Sequence, residues 1–450
     1  MTWQTVRWTA EQVLSLAPDE ASRKAGNKLG GAGPWSGAGC SASGAVWGLC
    51  KGSGSKPYRT VVDLTGPAFS CSCPSRKFPC KHALGLLLLW SGDERAVGAG
   101  EPPEWAGQWL ADRAARAERR KETGGTGAAA PADPEAARKR AERRAARVGA
   151  GVEELEQRLT DLLRGGLAGQ EQAGYGAWEE TAARMVDAQA PGLAARVREL
   201  GTVPSSGPGW PARMLEECAL LHLLDRAWLG VPALPAALAA TVRSRVGLPA
   251  GPEREAVADS WLVSAQYDTA SPDGRLTTRR IWLQGLGGGR PALLLDFGPP
   301  GRPPQLALPV GRVITAELGF HPGGGRLRAD LGELSGAPLP AAGPPQGVDV
   351  GAALDRYGAA LREDPWLDSW PVVLEAVIPV PATDGRWQLA DADGKSALPM
   401  SVGGRSSAGR WQLAALSGGG PLTVFGECGH TGFTPLTAWR PGSTEAVPLG

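Results

Sequence analysis

The chain has 450 residues, 47 of them Lys or Arg and 46 Asp or Glu, which leaves room for about two to four domains with cores of their own. Its 7 cysteines are too few and too scattered for a disulfide scaffold, and its longest apolar run, residues 86–90, is far too short to cross a bilayer. The net charge of +1 hides an asymmetry, because the first 150 residues hold 22 basic and 14 acidic side chains, a net +8, and the remaining 300 carry −7. A basic N-terminal third suits nucleic acid or another acidic partner, and equally a solvated surface with a basic linker. The 64 glycines and 39 prolines come with abundant Ala and Arg. All four have GC-rich codons, so Gly and Pro signal disorder here only where hydrophobic residues vanish too.

The first residues, MTWQTVRWTAEQVLSL, lack a continuous apolar core and a small-residue cleavage site, so no signal peptide is expected. Residues 9–29 read as one or two short helices, with Thr9 and Gln12 spaced as a capping box. A Gly-rich connector over 30–39 leads to strands at 45–50 and 58–64, joined as a hairpin through Gly-Ser-Gly, and to a third strand over 68–73.

The chain then commits to a definite chemistry at Cys71-Ser-Cys73-Pro-Ser-Arg-Lys-Phe-Pro-Cys80-Lys-His82, spaced C-x-C-x6-C-x-H. Three thiolates and an imidazole complete a closed tetrahedral zinc site with no position left for water or substrate. Residues i and i+2 of a strand share a face, which lets Cys71 and Cys73 offer both sulfurs to one ion. Cys80 and His82 enter the first turn of an apolar helix over 81–90, where a helix N-terminus favours a thiolate. The pattern resembles the SWIM-type zinc finger over residues 40–92, with all four ligand positions filled, and it is close to bacterial members. That family's module also occurs in chromatin-remodelling-type helicases and plant transposases. The resemblance implies one structural zinc and a role in binding DNA or protein, not catalysis.

Helix continues over 104–120, turning steadily more basic. Residues 124–134 have no large apolar side chain and read as a flexible linker, followed by a charged helix over 135–147; such a basic helix can lie along nucleic acid, and the first reading is a solvated helix laced with i,i+4 Glu/Arg pairs. From 152 the spacing is helical. Val152, Leu155, Leu159, Leu162 and Leu163 share a face; Trp178, Met185 and Val186 mark a second helix, continued by Leu193, Val197 and Leu200. Helices over 214–229 and 234–246 complete an antiparallel bundle or small array. From 261 the period is two, with strands expected at 261–267, 276–283, 292–297, 305–310 and 313–319, a helix at 350–363, and strands at 372–380, 387–390, 397–402, 411–416, 422–427 and 433–439. Gly385-Arg-Trp-Gln-Leu-Ala390 recurs as Gly409-Arg-Trp-Gln-Leu-Ala414, which suggests two equivalent hairpins.

The expected fold is α+β and multidomain. N-terminal helices and a zinc-stapled hairpin–helix module occupy 1–110, a basic, partly flexible linker 111–150, a helical domain 151–259, and a mainly antiparallel β region with one helix 260–450. Lys51, Lys56, Arg59, Arg76, Lys77 and Lys81 flank the ligands, where they can offset the charge of three thiolates or contact phosphate or a protein partner. Cys218 and His222 lie one helical turn apart but read as core or helix-packing residues, and Cys428, His430 and His321 read as turn positions. No glycine cluster has the Gly-Lys-Ser/Thr of a phosphate loop, and no Ser-His-Asp or H-E-x-x-H arrangement exists. The first functional reading is a cytoplasmic, non-enzymatic adaptor with a protein partner, no membrane and no small-molecule substrate. The alternative is DNA or other nucleic-acid binding through the basic third, and a third is an enzyme with its site in the β region.

Overall fold

A computed structural model describes residues 7–14, 16–17, 20–52, 54, 56–65, 68–75, 77, 79–124, 134–170, 175–248, 254–271, 276–299, 304–382, 385–401 and 407–449. The expected linker at 125–133 and the turns at 272–275 and 300–303 lie outside the described residues.

Two short helices, α1 (Ala10–Leu14) and α2 (Glu20–Asn27), open the chain. The capping box before α1 is reciprocal: the Thr9 amide donates to Gln12 Oε1 at 2.7 Å and the Gln12 amide to Thr9 Oγ1 at 3.2 Å. The connector expected at 30–39 instead contains strand β1 (Trp35–Cys40), which pairs with β2 (Ala45–Cys50). Gly39 permits this because a Cβ there would stand 2.7 Å from the Trp47 ring. β3 (Tyr58–Asp63), β4 (Ala68–Cys71) and the short β5 (Gly98–Ala99) complete a sheet ordered β4-β3-β2-β1-β5. Helix α3 (Lys81–Gly92) is buried from His82 to Trp90 and forms the centre of this module's core. α4 (Glu104–Gly124) follows, with Arg113 tied to Asp63 at 2.7 Å.

The charged segment at 135–147 does not form a helix of its own. It is the first half of α5 (Pro134–Gly165), 32 residues long, which runs unbroken across residue 150 into the bundle. Val148, Val152, Leu155, Leu159 and Leu162 of α5 alternate at steps of four and three, and they bury against α6 (Glu179–Asp187), α7 (Pro191–Leu200), α8 (Trp210–Leu229) and α9 (Ala236–Val246). Leu163 and Val186, placed on core faces by their spacing, are exposed. On α8 the seam Met214, Cys218, Leu221, Asp225, Trp228 is buried, so a carboxylate occupies a core position.

After the bundle the β region forms two barrels built alike. The first comprises β6 (Glu255–Ala270), β7 (Thr277–Gly285), β8 (Pro291–Gly298), β9 (Arg312–Phe320) and β10 (Ala329–Leu334), with β11 (Leu339–Pro340) added to β9. β6 is long enough to pair with β9 along its first half and β7 along its second, with a register shift between Val263 and Ala265. A parallel bridge between Leu293 and Arg328 joins β8 to β10 and closes the ring in the order 1-2-3-5-4-1. After helix α10 (Val350–Glu363), β12 (Ser369–Pro381), β13 (Trp387–Asp391), β14 (Ala397–Pro399), helix α11 (Ser407–Ser417), β15 (Leu422–Gly429) and β16 (Gly432–Trp439) repeat that order, and β17 (Ala446–Pro448) extends it. Here β12 carries the bulge, at Ala376 with φ +54°, and a parallel Met400–Phe433 bridge closes the ring. A five-stranded barrel closed in this way is that of the OB fold, and in the second barrel α11 sits between the third and fourth strands.

Two expectations fail here for physical reasons. Residues 305–310 are not a strand. Between Pro304 and Pro309, which cannot donate to a ladder, they form a strap held by side chains: the Leu306 amide on Asp296 Oδ2 (2.8 Å), the Leu308 amide on Gln266 Oε1 (2.8 Å), and Arg279 on the Leu306 carbonyl (3.0 Å). The strap floors the first barrel in place of a helix, and Leu306 also bridges to Ala68 while Ala307 enters the zinc module's core. The second failure is the hexapeptide repeat, whose first copy is strand β13 and whose second lies in helix α11. A strand puts Trp387 and Leu389 on one face; a helix turns positions two apart away from each other, so Leu413 is buried while Trp411 is 66% exposed.

The barrels meet through Leu262, Ala265, Trp282 and Leu327 of the first and Val373, Phe425, Leu436 and Trp439 of the second. The bundle docks through the fully buried Asp364, held by Arg245 at 2.6 Å, and through Trp366, whose indole donates to the Leu220 carbonyl at 2.9 Å.

Two measurements check this packing. Trp387→Ala is expected to cost about 3–5 kcal/mol in chemical denaturation, and Trp411→Ala no more than about 1 kcal/mol, although both sit in the same hexapeptide. Asp225 has neither oxygen hydrogen-bonded, and burial, then the neighbouring Glu156, pushes its carboxyl up to about 9. The unfolded chain releases this proton near pH 4 and the folded one near 9, so stability is full below pH 4 and falls as pH rises between these values. Asp225→Asn is therefore expected to raise the melting temperature at pH 8 by several degrees and to change it little at pH 4.

Candidate metal centre

β3, β4 and the start of α3 bring four donor atoms to one point. Cys71 ends β4, Cys73 follows in the turn, Cys80 is the N-cap of α3 and His82 stands in its first turn. The three Sγ atoms and one imidazole nitrogen all lie within 4.8 Å of one another, and His82 Nδ1 is 3.7 Å from Cys71 Sγ. Zinc–sulfur bonds of about 2.3 Å in a tetrahedron need ligand atoms about 3.8 Å apart, so the cluster is the right size. Cys80 and His82 are buried, and Cys71 and Cys73 half-buried.

Crowding shifts the thiols apart: contacts with Cys71 and then Cys80 hold Cys73 far below the usual thiol range, the contact with Cys73 pushes Cys71 up against an opposing contact with Cys80, and contacts with Cys71 and Cys73, with burial, push Cys80 up. Three sulfurs this close ionise together only around a cation. The N-cap position of Cys80 is as expected from its place before an apolar helix, yet Cys73 is the sulfur whose thiolate the bare cluster favours.

Two neighbours escaped the sequence reading. Thr60 Oγ1 lies 3.3 Å from Cys71 Sγ, and the Tyr58 ring lies 4.8 Å from the His82 ring. Both belong to β3, and Thr60 is the register partner of Cys71. Their spacing of two on the strand next to the Cys pair was the available signal. Such neighbours fix ligand orientation.

Of the flanking cations, Lys51, Lys56, Arg59, Lys77 and Lys81 are exposed, and Arg76 lies outside the described residues. Lys81 is near enough to Cys50 to favour its thiolate, against burial and Cys71, which push that thiol up. The other cysteines and histidines stay apart from the centre. Cys218 is buried in the bundle, which pushes its thiol up to about 11. His222 pairs with Glu156 at 2.7 Å, Cys428 is buried in the second barrel, His430 lies in the β15–β16 turn, and His321 bonds Asp330 at 3.0 Å.

A closed Cys3His set carried on a hairpin and a helix N-terminus defines a zinc-binding module with one structural zinc ion. Residues 61–90 match the family model of the SWIM zinc finger, and residues 143–246 match that of the SWIM-associated four-helix bundle domain. The chain thus carries a SWIM-type zinc finger followed by its associated bundle. No curated protein and no solved structure matches the chain. Among the described residues no helix is long and apolar enough to cross a membrane.

Metal analysis of the purified protein is expected to give about one zinc per chain, lost in Cys73→Ala and in His82→Ala. Unchanged zinc in both variants would refute this ligand set. Structural zinc contributes on the order of 10–16 kcal/mol in finger peptides, so chelation is expected to open the hairpin and α3 to hydrogen exchange while the bundle stays protected.

Proposed function

We propose that the chain is a non-enzymatic, cytoplasmic interaction protein whose partner is nucleic acid, gripped by its phosphates. The complete donor set supports the non-enzymatic part, since it leaves the metal no position for a substrate. Zinc thiolates need reduced cysteines, in keeping with the cytoplasm.

The observation that carries the choice of partner is the first half of α5. Arg140, Arg143, Arg144 and Arg147 recur at steps of three, one and three, so all four lie on one face over about 10 Å of helix. The acids of this segment are spent elsewhere: Glu135 pairs with Lys139 at 2.7 Å and Glu142 with Arg138 at 3.5 Å, on the opposite side. Arg140, Arg143 and Arg147 are exposed, while Arg144 is half-buried against Gln189, at the bundle's edge. Guanidinium groups in a row match successive phosphates. The segment offers only alanines as apolar residues, too little to enter a lipid surface. The exposed Lys51, Arg59, Lys77 and Lys81 around the metal centre add charge of the same sign.

A protein partner, the adaptor role, is the second reading. The observation in its favour is the set of exposed leucines on α8, Leu215, Leu223 and Leu229.

Fluorescence anisotropy with a labelled 20-base-pair DNA duplex at two salt concentrations tests the first reading. Binding is expected to fall with log salt at about −0.9 per phosphate contacted. Replacing Arg140, Arg143 and Arg147 by Gln is expected to reduce that slope by about two to three. Absence of binding to duplex at low salt would overturn the arginine-face reading.

A further inference from the structure

We propose that the outer face of β6, β7 and β8 in the first barrel binds single-stranded nucleic acid, with the bases laid on the sheet. This extends the nucleic-acid reading to a ligand class but rests on different residues, none of them on α5 or in the zinc module.

Barrels of this kind bind oligonucleotides and oligosaccharides on the face of their second and third strands and on adjoining loops. Fold alone does not assign a site, so the side chains must. Register places them in rows across the three strands. Ala265, Trp282 and Leu293 form the first row, Tyr267, Arg280 and Leu295 the second, and Thr269, Thr278 and Phe297 the third. The second barrel covers the first row, where Trp282 is buried against Phe425 and Trp439. The second row is half-buried and the third leads out to solvent. What remains open is a platform bounded on one side by the second barrel.

Its composition suits unpaired bases. Phe297 is 42% exposed, and it and Trp411 are the only exposed aromatic side chains of the described residues. Phe297 is the next-to-last residue of β8, where its ring is open to a ligand. Arg280 stands at the centre of the middle row, flanked by Tyr267 and Leu295, and makes no ion pair with a described residue. Arg328 is exposed at the bridge that closes the ring beside β8. Glu427, at the seam between barrels, is already engaged: it accepts from the Tyr267 hydroxyl, from the Trp282 indole at 2.7 Å and from Ser369 Oγ at 3.4 Å. Those bonds also fix the Tyr267 ring in place. Thr269 and Thr278 add hydroxyls beside Phe297.

Spacing points the same way. Rows two residues apart stand about 6.8 Å from each other on a strand, twice the roughly 3.4 Å between bases stacked in a duplex strand. Consecutive bases would have to splay apart to meet Phe297 and the Tyr267–Arg280 row, which a single strand does readily and a duplex cannot. The arginines select a phosphate backbone over a neutral oligosaccharide, the other ligand class such faces take.

The second barrel shows the contrast. Among the described residues its equivalent face presents Gln388 and Ala390 on β13 and Ala397 and Pro399 on β14, none of them aromatic or basic. One barrel is built to hold a ligand, and the other covers one side of that site.

The test uses the intact, zinc-loaded chain and fluorescein-labelled (dT)20, with the blunt 20-base-pair duplex and an unlabelled neutral hexasaccharide as competitors. Phe297→Ala is expected to weaken (dT)20 binding about 5- to 100-fold, the range for one stacked base, and to leave duplex binding unchanged. Phe297→Tyr is expected to retain binding, and Arg280→Gln to reduce the single-strand salt slope by about 0.7. The α5 arginine variant is expected to keep the difference between wild type and Phe297→Ala, so failure of the arginine-face reading leaves this result standing. Three outcomes overturn the proposal: equal (dT)20 affinity in wild type and the folded Phe297→Ala/Arg280→Gln double variant, no (dT)20 binding at low salt, or displacement by the hexasaccharide as effective as by unlabelled (dT)20.

Discussion

Four donor atoms closing on one metal ion set the terms for the N-terminal part of this molecule. The sheet around them is short and glycine-rich, and α3 is apolar on nearly every side. Such a helix has no solvent-facing stripe to orient it. The metal supplies the orientation. Cys71 and Cys73 arrive from the sheet and Cys80 and His82 from the helix, so the ion fixes the angle between the two elements. The same closure leaves the metal no position for a substrate.

The parts of the structure that were legible in the sequence are those where a local rule and the global fold agree. The ligand spacing, the capping box at Thr9 and Gln12, the helix Val350–Glu363 and the heptad seam of α5 all follow from residues close together in the chain. The parts that were hidden depend on partners far away. Gln-Leu-Ala in Gly385–Ala390 and in Gly409–Ala414 is the same text in a strand and a helix, and only the sheet beside it decides. Residues 305–310 alternate like a strand, yet Asp296, Gln266 and Arg279 satisfy their backbone instead of a neighbouring strand. The metal ligands were readable because chemistry restricts them. The platform around Arg280 and Phe297 was not, since it exists only once three strands are laid in register.

The two barrels divide the labour of a pair. Each bends its long first strand at a bulge and closes through a parallel bridge. Their floors differ: the second has α11, the first an extended strap. That substitution frees the underside of the first barrel to receive another unit, and the zinc module occupies it through Ala68 and Ala307. The bundle holds on at a different place, through Arg245, Asp364 and Trp366. The β region is thus the frame on which both N-terminal units are mounted.

The strap also dictates a timetable. Ala307 fills the core of a module whose other fully buried residues come from the first hundred of the chain, so during synthesis that module is exposed for the time needed to make some two hundred further residues. At about 5–20 residues per second this is on the order of ten seconds or more. Through that interval the hairpin and α3 have an unfilled apolar hollow where the strap will lie, and the early-captured ion is what keeps them folded. The four metal ligands lie within twelve residues, while docking joins segments some two hundred residues apart. A nascent chain short of zinc would therefore meet its own barrel with nothing for the strap to receive.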